Sequence, residues 1–297
     1  MSLSELVRKV VMSPGEPRLR SGWRLLAQLL LLFFTMLFAA IPAVVVLALW
    51  PEFGDLALIL ANGVPIVLSV TIARRFFDRR SITSLGLRLD RQAGRDVLTG
   101  MGIAVLQTGL VFALESGFGW LKVVGFAWQQ QSPLAVVTGF ILWLGIFLAV
   151  GFYEELFSRG YQLQNVEEGL NTFWAVLLSS LLFGVTHLFN PNASWLSVVG
   201  ITVSGILLAY AYLRTRQLWL PIGLHIGWNV FLGPVFGFPV SGLNNPKLIQ
   251  VLVDGPVLFT GGDFGPEAGL VLLPALGLGT LLVWWATRGR LDQGKHN

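Results

Sequence analysis

The sequence has 297 residues, of which 54% are hydrophobic and 12% charged, and its formal net charge is +4. A soluble domain carries about 25% charged residues, so this composition excludes an ordinary water-soluble globule and makes lipid the solvent for most of the chain. With no cysteine, a disulfide framework, a thiolate metal site and a cysteine nucleophile are excluded as well.

A helical crossing of a bilayer takes about 20 consecutive apolar residues. Eight segments fit that length: 23–50, 56–73, 97–114, 133–153, 171–189, 195–213, 219–236 and 268–286. The first follows Arg18, Arg20 and Arg24, but its apolar core is about twice as long as a signal-peptide core, so a retained helix is expected. A basic loop, residues 74–96, follows the second span. The uncharged run over residues 169–213 is too long for one crossing, and Asn190-Pro191-Asn192 splits it, because Pro and Asn interrupt the helical ladder and favour a turn. The fourth helix must run on past Arg159, or the fifth must start deep, if Glu154 and His187 are to meet. Residues 237–267, rich in Gly, Pro and Asn, read as an irregular, solvated external connector.

Eight crossings put both termini on one side of the membrane. That side then holds Arg8, Lys9, Arg18, Arg20, Arg24, the arginines of the 74–96 loop, Arg159, Arg214, Arg216, Arg288, Arg290 and Lys295, leaving only Lys122 and Lys247 of the 20 basic residues opposite. Positive charge collects on the cytoplasmic side, so both termini are expected in the cytoplasm. The expected fold is therefore all-α: one multi-pass transmembrane helical bundle over residues 1–297. Its sequence pI of about 9.8 is accounted for by Lys and Arg facing anionic lipid, with no nucleic-acid partner.

Ionisable groups inside a bilayer are costly and mark candidate sites. The fourth span ends in Glu154-Glu155-Leu156-Phe157-Ser158-Arg159. On a helix Glu155 and Arg159 share a face and can pair, while Glu154 is turned away from them. Two adjacent carboxylates in a low dielectric repel each other, which poises one for general-base work. The bland alternative is a helix end emerging into water with solvated charges. Phe183 and His187 lie one turn apart in the fifth span, as do His225 and Asn229 in the seventh. A lone membrane histidine is often only an interhelical hydrogen-bonding group, yet two of the chain's three histidines fall in spans. His296, in the tail, receives no role. Together the three segments hold a hydrolytic inventory of a base, imidazoles and amide donors for an oxyanion.

The ordered trio Glu154-Glu155-x-x-x-Arg159, Phe183-x-x-x-His187 and His225-x-x-x-Asn229 resembles the motifs of the CAAX prenyl protease and bacteriocin-processing (CPBP, or Abi) family. Thr83-Ser84-Leu85-Gly86-Leu87-Arg88 is similar to the family too, less distinctively. The resemblance covers residues 151–231, expected to form the catalytic core. It implies an intramembrane endopeptidase in a prokaryotic plasma membrane, acting near the terminus of a peptide or protein substrate. It also implies Glu154 as general base, His187 as the group orienting the water, and His225 and Asn229 as oxyanion donors. Glu155 and Arg159 would form a supporting pair.

Glu154, His187 and His225 could also ligate Zn²⁺ with an open position. No His-Glu-x-x-His run is present, and water activation by Glu and His needs no ion, so the metal-free route is favoured. Membrane Glu, Arg and His also build proton-coupled transporters, but no inverted repeat or matched pair of broken helices is visible. A catalytically silent scaffold or immunity factor of the same family is the other alternative. Reporter fusions after Arg91 and Arg290 are expected to read cytoplasmic, and one after Lys247 external; a cytoplasmic signal at Lys247 breaks the eight-span topology.

Overall fold

In the computed structural model, residues 2, 5, 9–50 and 53–290 are described. Arg8, Lys295 and His296 lie outside the described residues. The main helices are α1 (Ser21–Leu49), α2 (Gly54–Ile72), α3 (Arg91–Gly117), α4 (Pro133–Glu155), α5 (Leu163–Gly169), α6 (Thr172–Thr186), α7 (Trp195–Thr215), α8 (Trp219–Val230) and α9 (Leu272–Thr287). Strands β1 (Leu121–Phe126) and β2 (Ile249–Val253) pair antiparallel.

The protein is an all-α membrane bundle. Each of the eight expected segments carries helix, and six helices among the described residues are long and apolar enough to cross a membrane. α9 is apolar but shorter. α8 has 12 residues, continues as a π-helical turn over Phe231–Val235, and is buried along most of its length. The helices have wide exposed apolar faces, with Phe38 71% and Leu134 73% accessible. Lipid solvates such a face as well as a protein core does, so no polar stripe is needed.

Local chemistry sets the helix ends. Asp90 caps α3 by accepting from the backbone N–H groups of Gln92 and Ala93, at 2.8 and 3.0 Å. Asn190-Pro191-Asn192 breaks the chain as expected, with Asn192 at φ 58° in the left-handed region, and Ser194 then caps α7. α4 does not stop at Glu155. It passes through a π-helical stretch, Leu156–Gln162, into α5, giving an unbroken helical run Pro133–Gly169. The basic loop is partly structured too, since a π turn (Ala73–Phe77) and a 3-10 turn (Ile82–Leu85) occupy it.

The chain divides into two compact units, residues 1–88 with 152–179 and residues 89–151 with 180–297. In the first, buried charge organises the packing. Arg24 of α1 is fully buried and pairs with Glu168 of α5 at 2.5 Å and with Asp78 at 3.3 Å. Arg74 meets the other Asp78 oxygen at 2.6 Å, and the Tyr161 hydroxyl donates to Asp78 at 3.1 Å. Gln162 donates to Gln28 at 2.7 Å, and Gln28 donates to Ser69 at 3.1 Å.

In the second unit, close backbone approach does the equivalent work. A Cβ on Gly100 of α3 would lie 2.5 Å from the Leu220 carbonyl, and one on Gly223 of α8 would collide with the Val97 carbonyl. The absent side chains let α3 and α8 touch backbone to backbone, the usual way apolar helices gain contact in lipid. Residues 237–267 differ from the expected solvated connector. Phe238, Val240 and Phe264 are buried, as is Glu267, and the segment contributes β2. Apolar side chains and one carboxylate turn this loop inward. In the first unit, Asp78→Ala would take its carboxylate from buried Arg74 and leave Arg24 with Glu168 alone, so a loss of about 3–5 kcal/mol is expected, read as a lowered unfolding midpoint in detergent.

Candidate active site

The second unit holds a partly open cavity, about 480 Å³ when the solvent space at its mouth is included. Ile201, Leu207, Leu208, Leu224 and Leu276 give it an apolar wall, and Phe183, His187, His225, Asn229, Ser241 and Glu267 line it as well. The second and third sequence motifs therefore converge on one cavity.

Phe183 sits on the last turns of α6, and His187 opens the 3-10 turn that follows. His187 Nδ1 lies 2.7 Å from the Phe183 carbonyl oxygen. A carbonyl can only accept, so Nδ1 carries the proton, and in the neutral ring Nε2 is left with the lone pair. Phe183 meets the His187 ring edge-on at 4.8 Å and the His225 ring edge-on at 5.9 Å. It thus forms an apolar wall against both imidazoles. His225 and Asn229 are buried on α8, one turn apart, so both can present to a single ligand atom.

The first motif lies in the first unit. Glu155 accepts from Arg159 Nη1 at 2.8 Å, and both side chains are fully buried. The pair expected from the i, i+4 spacing is present. Glu154 precedes it and is half-buried. The stretch that follows is π-helical, a local widening common at functional sites.

Glu267 was not singled out by the sequence, and it is the cavity's carboxylate. Its Oε1 accepts from Trp228 Nε1 at 3.0 Å, and its Oε2 accepts from the Ser241 hydroxyl at 2.9 Å and from the Ser241 backbone N–H. Burial pushes the carboxyl above the usual carboxylate range, against the opposite pull of the Ser241 and Trp228 hydrogen bonds and of His187. Gln107 was missed as well; its amide donates to the Ala275 carbonyl at 2.8 Å beside the cavity. A polar amide inside an otherwise apolar span was a usable signal for Gln107. Glu267 gave none, since its partners Trp228 and Ser241 lie at irregular distances along the chain. Among the described residues no group of three or more His, Cys, Asp or Glu side chains is placed to hold a metal ion.

Residues 135–231 match the family described as type II CAAX prenyl endopeptidase Rce1-like, and all three motifs fall inside that segment. The chain is also 28% identical over 139 residues to the "Putative membrane peptidase YdiL" of Bacillus subtilis (strain 168). That alignment covers 46% of this chain and 53% of the relative, so the chain spans about half the length of the curated relative it matches. No solved structure matches. The two matches support the CPBP family and, more coarsely, an intramembrane protease.

Glu267→Gln keeps the side-chain volume but replaces an accepting oxygen with an NH₂ group, leaving a buried donor unmatched at a cost of about 1–3 kcal/mol. Because burial makes the folded carboxyl hold its proton more tightly than the unfolded chain does, whose ordinary value is 4.5, the stability it contributes is fully present below that ordinary value and is lost as pH rises through the raised folded one. Thermal melts of both proteins across a pH series are expected to show the wild-type advantage shrinking as pH rises; an advantage that grows with pH contradicts the assignment.

Proposed function

We propose that this chain is an intramembrane endopeptidase that hydrolyses a peptide bond near the terminus of a membrane-associated peptide or protein, in a prokaryotic plasma membrane, without a metal. The observation that carries this is the convergence of His187, His225 and Asn229 on one cavity with apolar walls. The match of the motif-bearing segment to the Rce1-like family supports it.

Amide hydrolysis needs a base for water, donors for the oxyanion and a proton for the leaving amine. Glu154 is the general base, taking the proton as the water oxygen adds to the scissile carbonyl. His187, protonated at Nδ1, offers the Nε2 lone pair to orient that water. His225 and Asn229 donate to the tetrahedral oxyanion. In a water-poor, low-dielectric cavity such donors strengthen as charge develops, each contributing about 3 kcal/mol. Collapse of the intermediate breaks the C–N bond, and the proton held by Glu154 passes to the departing nitrogen. Glu155 and Arg159 form the supporting pair of the scheme. Residues 151–231 are the catalytic core in this scheme, within one membrane domain over residues 1–297.

Peptidomics of membranes carrying wild type or Glu154→Gln is the direct test, followed by assays on the substrate it reveals. Glu154→Gln is expected to abolish processing while folding persists. Asn229→Ala is expected to lower kcat by roughly 10²–10³ with little change in KM. Glu155→Gln should reduce stability more than turnover, since it strands Arg159. A strong chelator is expected to leave the purified enzyme active. Full activity of Glu154→Gln removes it from the mechanism, and chelator inactivation reversed by stoichiometric Zn²⁺ replaces the metal-free route.

A further inference from the structure

The connection between α3 and α4 is built as a short ribbon. β1 follows the end of α3 after residues 118–120, a reach of at most about 10 Å for three residues. Residues 127–132 then lead into α4. Both helices are long and apolar enough to cross a membrane, so an element tethered this closely to both must lie where the bilayer ends.

Its side chains are not those of a water-exposed hairpin. Val124 is 61% accessible, Trp128 57%, Leu252 55% and Val257 64%. Two aromatic pairs flank the strand, Phe118 stacked on Trp120 and Phe126 on Trp128, each at 4.7 Å. Lys122, registered opposite Leu252, is the one charged residue on either strand, and its long stem lets an ammonium reach water from an apolar surface. The register shifts between Val123 and Gly125, where an irregularity leaves Val124 without a cross-strand partner. Past Lys122 no charge occurs until Glu154, and α4 is apolar and exposed from its first turn, at Leu134. Exposed Gln129, Gln130, Gln131 and Ser132 separate the ribbon from α4, polar side chains that suit the headgroup level, and the lipid-facing apolar surface resumes at Leu134. In water a patch of this kind is costly; at the headgroup level, exposed Trp rings and aliphatic side chains are stabilising.

We infer that the β1–β2 ribbon is a membrane anchor, with its exposed apolar side chains embedded at the headgroup–acyl boundary of the bilayer that α3 and α4 cross. The occupant of this surface is lipid. β2 belongs to the same loop as Ser241 and Glu267, so the anchor holds one wall of the cavity at membrane depth. None of this depends on the peptidase assignment.

The chain has no cysteine, so Val124→Cys gives a single site for a nitroxide label. With the full chain in phosphatidylcholine–phosphatidylglycerol vesicles, power saturation compares collision with oxygen, which concentrates in lipid, and with a nickel chelate, which stays in water. Oxygen accessibility exceeding that of nickel is the expected result. Nickel exceeding oxygen overturns the inference. So does poor access for both reagents, which would mean that protein, either substrate or a second copy, covers the ribbon. If Val124→Cys does not reconstitute, Leu252→Cys on the paired strand is read by the same criteria.

Discussion

A charge or an amide removed from water, in a chain solvated mainly by lipid, has to find its partner within the protein. The penalty for failing is several kcal/mol per group, comparable with the whole stability of a domain. In the first unit Arg24, Arg74, Asp78 and Glu168 answer this constraint jointly, because each is the counter-charge of another. Their positions in sequence are far apart, so satisfying the charges also fixes how α1, the end of α2 and α5 pack. The Glu155–Arg159 pair obeys the same rule within a single helix.

The second unit meets the constraint with fewer charges and more backbone. Lipid tails compete with apolar side chains on equal terms, so close shape fit must bring the helices together. Gly100 and Gly223 provide it between α3 and α8. As a result α8 is enclosed by protein, and His225 and Asn229 sit in a buried setting. Donors held there need little rearrangement when charge develops on a reacting atom, which is the property that oxyanion stabilisation requires. Glu267 extends the logic to the loop: three donors converge on one carboxylate and fold residues 237–267 back as part of the cavity wall.

Much of this was legible before any coordinates. Hydropathy located the helical segments, because about 20 apolar residues have few other fates in a cell. The break at Asn190-Pro191-Asn192 followed from backbone chemistry. The contacts of Phe183 with His187 and of Glu155 with Arg159 followed from helical periodicity, as did the shared face of His225 and Asn229. A turn of α-helix places residues four apart together whatever surrounds it.

What the sequence by itself determined was thus everything set by local geometry and by the solvent each segment can tolerate. The tertiary structure alone decided that α8 is short and enclosed, that the 237–267 loop is packed, and that β1 pairs with β2. It also decided that Glu267, with Ser241 and Trp228, borders the same cavity as the two membrane histidines. Those features rest on contacts between residues tens to more than a hundred positions apart. Such contacts leave no periodic mark in the chain, because the partner of a buried polar group is chosen by proximity in space, and one sequence read along its length carries no direct record of that proximity.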